Sequence, residues 1–309
     1  MQLLEAKEIQ DCLPKGQTAF SYYRDQYAVY LLGQLLQKGF SIAELKKSSF
    51  AGLLQKKVVK DILARDLKMI RLFPKANIAC AKEYHFSLNL TIMDRDDLCD
   101  QTSRNGVNLI LQLNFNAEHS RFFRKKLDCK LDWLNGSCHP VRRDKITMAW
   151  CRMDINFDTD EVLIEEIQSD WMRYSLNWYK YVKKDLLKSE KRKMCFKKYG
   201  IKPEAYLEYY ERFVKPYGPI WEESMMFATL CFIREELGLK NIFYHTQDSG
   251  RILKQMDDWL PPASIYSTLP KKFYFKLNSE APILLQKDRN RRVKKVLKIH
   301  QFKFYKLMA

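Results

Sequence analysis

Apolar and polar positions recur with two different periods along the chain. Over the first seventy residues the period is helical. Phe20 to Lys38 carries a long apolar face and stops at Gly39, so a helix is expected there. Ser41-Ile-Ala-Glu44 has the spacing of a capping box and opens a second helix. Ser49 is placed to cap a third, and Lys56 to Leu67 reads as a fourth.

From Ala79 onward the period changes to two. His85–Ile92 and Val107–Phe115 alternate, as half-buried strands do. A basic helical piece follows at His119–Lys126. Ile146–Phe157 and Val162–Gln168 then read as two strands joined through Asp158–Glu161. A helical insertion is expected over 171–218. Pro219 suits the first turn of a further helix that runs to Leu237, with Gly238 as its C-terminal cap. Asn241–His245 reads as a short buried strand, Ser249–Trp259 as a helix, and Ile265–Ser267 and Phe273–Leu277 as strands. In the tail, Val293, Val296, Leu297, His300 and Phe304 recur at helical spacing.

The expected class is therefore α+β. A central, mostly antiparallel sheet would occupy 79–286, preceded by a helical region over 1–78. It would carry the insertion 171–218 and a basic C-terminal helix over 287–309, all in one compact domain.

Composition narrows the partners. The 309 residues include 54 Lys and Arg against 37 Asp and Glu, a net charge of +17. A balance this basic points to a polyanion, nucleic acid before an anionic membrane surface. The segment 287–309 alone holds nine basic residues against one acid, Asp288. Arg289, Arg291, Arg292, Lys294, Lys295 and Lys298 would form a cationic ridge for phosphates. A second basic zone begins at Trp171. Trp171, Trp178, Lys183 and Lys184 interleave aromatic faces with cations, as an unstacked strand requires.

The eight cysteines form no C-x-x-C pair, which argues against zinc ribbons and thioredoxin-type redox motifs. Cys151 and Cys231 lie in apolar runs and read as buried thiols of a reducing compartment. There is no signal-peptide pattern at the start and no apolar run near the roughly 20 residues of a membrane span. The expected setting is cytoplasmic, without a membrane partner. No Walker A loop, nucleophile elbow, dinucleotide glycine fingerprint or H-E-x-x-H is present.

Candidate chemistry concentrates on the hairpin over 147–168. Arg152, a further expected nucleic-acid contact, and Asp154 share one face of its first strand, and Glu166 and Gln168 share one face of its second. With a three-residue loop Asp154 would oppose Glu166 and Arg152 would oppose Gln168. A two-residue loop would set Asp154 against Glu165. Acids in runs this apolar are either paired with cations or used for catalysis. Asp170 or Ser169 would cap the helix that follows, and Asp170 is equally a candidate catalytic carboxylate. His245 stands at a strand end and offers a general acid or a hydrogen-bond donor. Glu222 and Glu223 sit where a helix begins, which their charge alone would favour.

Leu163-Ile-Glu-Glu-Ile-Gln-Ser-Asp-Trp171 resembles a segment of uncharacterised bacterial and phage proteins, where a tryptophan-led helix and a short strand also follow. The resemblance spans about 146–250 and implies no activity. Asp154 with Glu166-x-Gln168 is similar to the metal-binding hairpin of restriction-endonuclease-like nucleases, with Gln168 where those carry lysine. The order hairpin, helix, strand, helix, strand is similar to GNAT acetyltransferases, but no glycine-rich pyrophosphate loop follows Gln168.

These residues fit best a metal-independent DNA glycosylase, with Asp154 or Glu166 meeting the sugar cation and Gln168 and His245 reading the base. No cofactor is then expected. A magnesium-dependent nuclease, an acyltransferase and a non-enzymatic nucleic-acid-binding protein are the alternatives. The phage link extends the expectation to defence against foreign DNA.

Overall fold

The computed structural model describes residues 1–12, 18–65, 82–93, 101–127, 140, 146–186, 202–256 and 262–308, with the backbone alone at 184–186. The expected boundary at 78/79 lies outside the described residues, as do the basic and aromatic residues of 187–201 and Trp259.

One eight-stranded sheet organises the chain. The strands are β1 (Thr18–Tyr23), β2 (Glu83–Met93), β3 (Asn108–Phe115), β4 (Thr147–Asn156), β5 (Glu161–Gln168), β6 (Asn241–His245), β7 (Phe275–Asn278) and β8 (Phe304–Leu307). Their order is β1-β2-β3-β4-β5-β6-β8-β7. The first five form an antiparallel meander, β5 and β6 are parallel, and β8 pairs antiparallel with both β6 and β7. The fold is α+β.

Three of the expected elements are corrected. Phe20 does not begin a helix. Thr18–Tyr23 is strand, Asp25 turns the chain with a positive φ of 65°, and the helix α2 covers Gln26–Gln37. The aromatic side chains of Phe20, Tyr22 and Tyr23 suit a pleated surface, and an aspartate tolerates the left-handed turn. Ile265–Ser267 lies inside a helix, Ala263–Lys272, where Ile265 and Leu269 are buried one turn apart. Three apolar residues are too few for their period to decide. The tail, finally, is helix only over Arg291–Ile299, and Phe304 belongs to β8. Phe304 faces one core and Tyr305 and Leu307 the other, an alternation that a strand satisfies and a helix cannot.

Helices cover both faces of the sheet. The N-terminal half supplies α1 (Leu3–Cys12), α2, α3 (Ile42–Lys46) and α4 (Lys57–Arg65), and Ser41 and Glu44 make the expected capping box. Ala51–Gln55 is a 3-10 turn entered at Phe50, so Ser49 is not its cap. The middle supplies α5 (Ala117–Leu127), α6 (Asp170–Leu186) and α7 (Pro203–Tyr209, continuing to Tyr217). Next comes α8, Trp221–Cys231, which runs on to Glu236. The last group is α9 (Gln247–Leu253), α10 (Ala263–Lys272), α11 (Ile283–Gln286) and α12 (Arg291–Ile299).

The larger core includes Cys151, Met153, Ile155, Val162, Ile164 and Ile167 of the hairpin, together with most of α2 and α8. A smaller core on the opposite face joins Leu163, Phe243, Leu253, Leu284, Leu285, Val293, Phe302 and Phe304. The polar residues of the hairpin share that second face.

Candidate functional site

Register determines which polar groups meet. The turn of the hairpin has four residues, 157–160, with Asp160 at a positive φ of 52°. Arg152 therefore opposes Glu166, Asp154 opposes Leu163, and Trp150 opposes Gln168. Neither expected register holds. The pairing shifts between Arg152 and Met153, so Glu165 is an extra residue in β5. Ile164 and Ile167 both face the larger core, which leaves the bulged Glu165 and Glu166 together on the polar face.

The two glutamates serve different partners. Glu166 accepts from Arg152 at 2.8 Å, from the Lys254 ammonium at 2.9 Å and from Gln168 Nε2 at 3.2 Å. Lys254 also donates to the backbone carbonyl of Glu165 at 3.1 Å. Glu165 accepts from the backbone N–H of Ser103 at 3.2 Å and from its hydroxyl at 2.9 Å. His245 Nε2 lies 3.2 Å from Glu165 and 2.9 Å from Ser103 Oγ, and its Nδ1 lies 2.9 Å from Ser249 Oγ. Asp154 receives two hydrogen bonds from Arg104, at 2.5 and 2.9 Å, and lies 3.3 Å from the nitrogen of Met1.

The carboxylates Asp154, Glu165 and Glu166 thus meet the cations Arg104, Arg152 and Lys254 in one layer, with the His245 imidazole beside them. Arg152, Asp154, Glu165, Glu166, Lys254 and His245 are all buried, none more than 4% exposed. Burial alone would raise the Glu165 carboxyl. The hydrogen bond from His245 and the Lys254 and Arg152 charges instead hold it down to about 2. Burial lowers the His245 imidazole, so it is neutral near pH 7.

Asp170 begins α6. Its carboxylate accepts from Trp150 Nε1 at 3.1 Å and from Arg173 at 2.5 Å. Ser169 is the cap, its hydroxyl accepting from the Met172 N–H at 3.0 Å. Glu223 is buried and bound by Tyr22, Lys272 and the Asp25 N–H, while Glu222, half-buried, is pushed up by burial.

The residues expected to touch nucleic acid divide sharply. Arg152 is buried in the hairpin, and so is Trp171, whose Nε1 donates to Tyr209 at 2.5 Å within a cluster including Phe115 and His119. Neither presents a surface: Trp171 packs against the sheet and α7, and Arg152 is held on the polar face of the hairpin by Glu166 and the Gln101 carbonyl. Trp178 is half-buried on α6 and Lys183 is exposed, its ammonium 4.9 Å from the Tyr179 ring centre. The side chain of Lys184 lies outside the described residues.

Arg289, Arg291, Lys294, Lys295 and Lys298 are exposed around α12, with no ion-pair partner among the described residues. Arg292 departs from them. It turns inward and donates to the carbonyls of Leu253 at 2.7 Å and Ser103 at 3.1 Å.

Ser103, Arg104 and Lys254 carry no motif that sequence reasoning finds. The first two sit on an irregular stretch without periodicity. Lys254 follows α9 immediately, as one cation among 54 in the chain. The chain matches no family model, no curated protein and no solved structure.

Proposed function

We propose that the chain is a nucleic-acid-binding protein that docks on the phosphate backbone through α12 and the residues just before it. One observation carries the reading. Four exposed cations on a short helix, Arg291, Lys294, Lys295 and Lys298, and a fifth just before it, Arg289, have no acid paired to them among the described residues, and the helix is fixed to the body by buried Val293 and half-buried Val296 and Leu297. Such a ridge gives affinity without sequence choice. The surface of α6, with Trp178, Tyr181, Lys180 and Lys183, adds aromatic faces for unpaired bases.

Hydrolysis at the hairpin is the less supported extension. Base excision or magnesium-dependent cleavage needs a carboxylate released from its cations, whereas Asp154 and Glu166 are each bound by guanidinium or ammonium groups. Acyl transfer has one observation in its favour. The hairpin, α6, β6, α9 and the last strands follow the element order of the acetyltransferases, and β5 runs past its last β6 partner at Ile164. The Asp170 carboxylate at the start of α6 gives a pyrophosphate no welcome there.

The test is fluorescence anisotropy on labelled duplex and single-stranded DNA and RNA over a salt series. The wild-type protein is compared with a variant carrying Arg291→Ala, Lys294→Ala, Lys295→Ala and Lys298→Ala. The quadruple change is expected to lower the slope of log affinity against log salt by about 3 to 4. A salt-independent affinity, or equal slopes, overturns the reading.

A further inference from the structure

Beside the basic ridge lies a groove of about 650 Å³, lined by one unbroken stretch of chain, 279–303. Its walls are the turn 279–281 ahead of α11, Gln286 at the end of α11, the second half of α12 and the residues leading to β8. That volume admits a ligand of metabolite size. Helix geometry decides which side chains face it. Arg292 leaves α12 on one flank, toward Leu253 and Ser103, and Val293 is buried beneath the helix. Lys294, Leu297 and Lys298 share the other flank at helical spacing, and all three line the groove. Both lysines are exposed and have no ion-pair partner among the described residues.

An independent feature stands at the end of the same groove. The helix stops at Ile299, and His300 and Phe302 line the groove beyond it. Their rings are parallel to within 16°, with centres 5.2 Å apart. Phe302 is anchored in the smaller core, whereas His300 is exposed. The imidazole is thus backed on one face by a fixed ring and offers the other as a platform for a planar base. The helix dipole is negative at this end, which sends an anion back along the helix toward Lys294 and Lys298. Glu280, the one acid of the lining, repels it from the turn 279–281.

We infer that this groove binds one unpaired nucleotide, its phosphate between Lys294 and Lys298 and its base on His300. The chemistry is that of a nucleoside monophosphate, either free or as one unit of a strand held by the ridge. The inference rests on the nucleic-acid reading and deepens it. The cations of α12 supply general affinity, and the groove adds a preference for a phosphate that carries an accessible base. A duplex keeps its bases in the stack, so it engages the ridge without the groove.

The probes are adenosine 5′-monophosphate, ribose 5-phosphate and adenosine, titrated into the full chain by calorimetry, with NMR shifts of the His300 ring protons as a second readout. Saturable binding of the nucleotide is expected, about fivefold or more weaker for ribose 5-phosphate, which lacks the base to stack, and weaker also for adenosine, which lacks the phosphate. His300→Ala should bring the nucleotide down to the level of ribose 5-phosphate, and His300→Phe, which keeps a ring, should keep the preference. A short single strand that displaces the nucleotide assigns the groove to strands, and a nucleotide that stays bound beside the strand assigns it to free nucleotides. No saturable binding, equal affinity for the nucleotide and ribose 5-phosphate, or an unaltered preference in His300→Ala overturns the inference. His300→Ala keeps every cation of the ridge, so its salt slope on duplex DNA should equal the wild-type slope. A normal slope without nucleotide binding removes the groove alone, whereas a flat wild-type slope removes the nucleic-acid reading and leaves the groove, if the nucleotide binds, to free nucleotides.

Discussion

The guanidinium of Arg292 donates to the backbone carbonyl of Ser103, the residue whose amide and hydroxyl both hold Glu165. The basic helix is therefore fastened to the loop that closes the buried network. Arg104 of the same loop adds a second tie, with its guanidinium 3.7 Å from Asp288 just ahead of the helix.

This division among neighbouring arginines predicts a separation of effects. Arg292→Ala removes two charge-assisted hydrogen bonds to buried backbone carbonyls and should cost about 1.5–3 kcal/mol of folding stability in urea titration. Arg291→Ala, at an exposed position, should change stability by about 0.5 kcal/mol or less. Nucleic-acid affinity should respond in the opposite order. Equal destabilisation by the two changes would deny Arg292 its structural role.

Glu166 is predicted to matter first for folding. Glu166→Gln leaves Arg152 and Lys254 buried without their shared counter-charge, which costs about 3–5 kcal/mol when one partner of a buried pair is lost. Adding Lys254→Met should restore part of that loss, because the ammonium then needs no partner. A Glu166→Gln protein of unchanged stability that had lost a nucleic-acid-cleaving activity would favour the catalytic reading of the hairpin.

Much of the sheet could be read from alternation alone, since β2 to β6 each fall within a residue or two of their apolar runs. The hairpin chemistry could not, and one residue explains why. The bulge at Glu165 reverses the parity of β5, so two adjacent glutamates share a face that alternation assigns to only one. The partners were hidden for another reason. Ser103 and Arg104 come from a loop some sixty residues away in sequence from Glu165, and nothing in a loop's local pattern encodes a long-range contact. The tail misled because Val293 to Phe304 satisfies a helical period by chance across a helix and a strand.

Buried histidines set the acid response. Burial lowers His119 to about 3 and lowers His245 as well. Glu165 is held near 2. Each native pKa lies below its unfolded value, so the unfolded chain takes protons first as pH falls. Stability is then complete above about pH 6.5 and declines below it, by up to about 1.4 kcal/mol per pH unit for each histidine. Glu165 adds to the decline below about pH 4.5. His119→Phe should flatten the slope between pH 6 and 4 by about one proton. The new ring keeps the stack on Phe115, 3.7 Å away between centres, and removes a buried Nδ1 that has no partner among the described residues. An unchanged slope in urea titrations across that range would contradict the assignment.

Trp171 and Trp178 lie two turns apart on α6, and the structure assigns them opposite consequences. Trp171 is 1% exposed, edge-on to Phe115 with ring centres 4.7 Å apart, and bonded to Tyr209. Trp171→Ala should open a cavity costing about 3–5 kcal/mol, seen as a large fall in the urea midpoint. Trp178 is only half-buried, with its ring centre 6.4 Å from that of Tyr181, a residue 61% exposed. Trp178→Ala should leave most of the stability intact and weaken single-stranded DNA by about 1–3 kcal/mol if a base stacks there. Duplex affinity, which rests on the α12 cations, should change far less. A Trp178→Ala protein that binds single strands as tightly as the wild type would remove α6 from the nucleic-acid surface and leave α12 as its only contact.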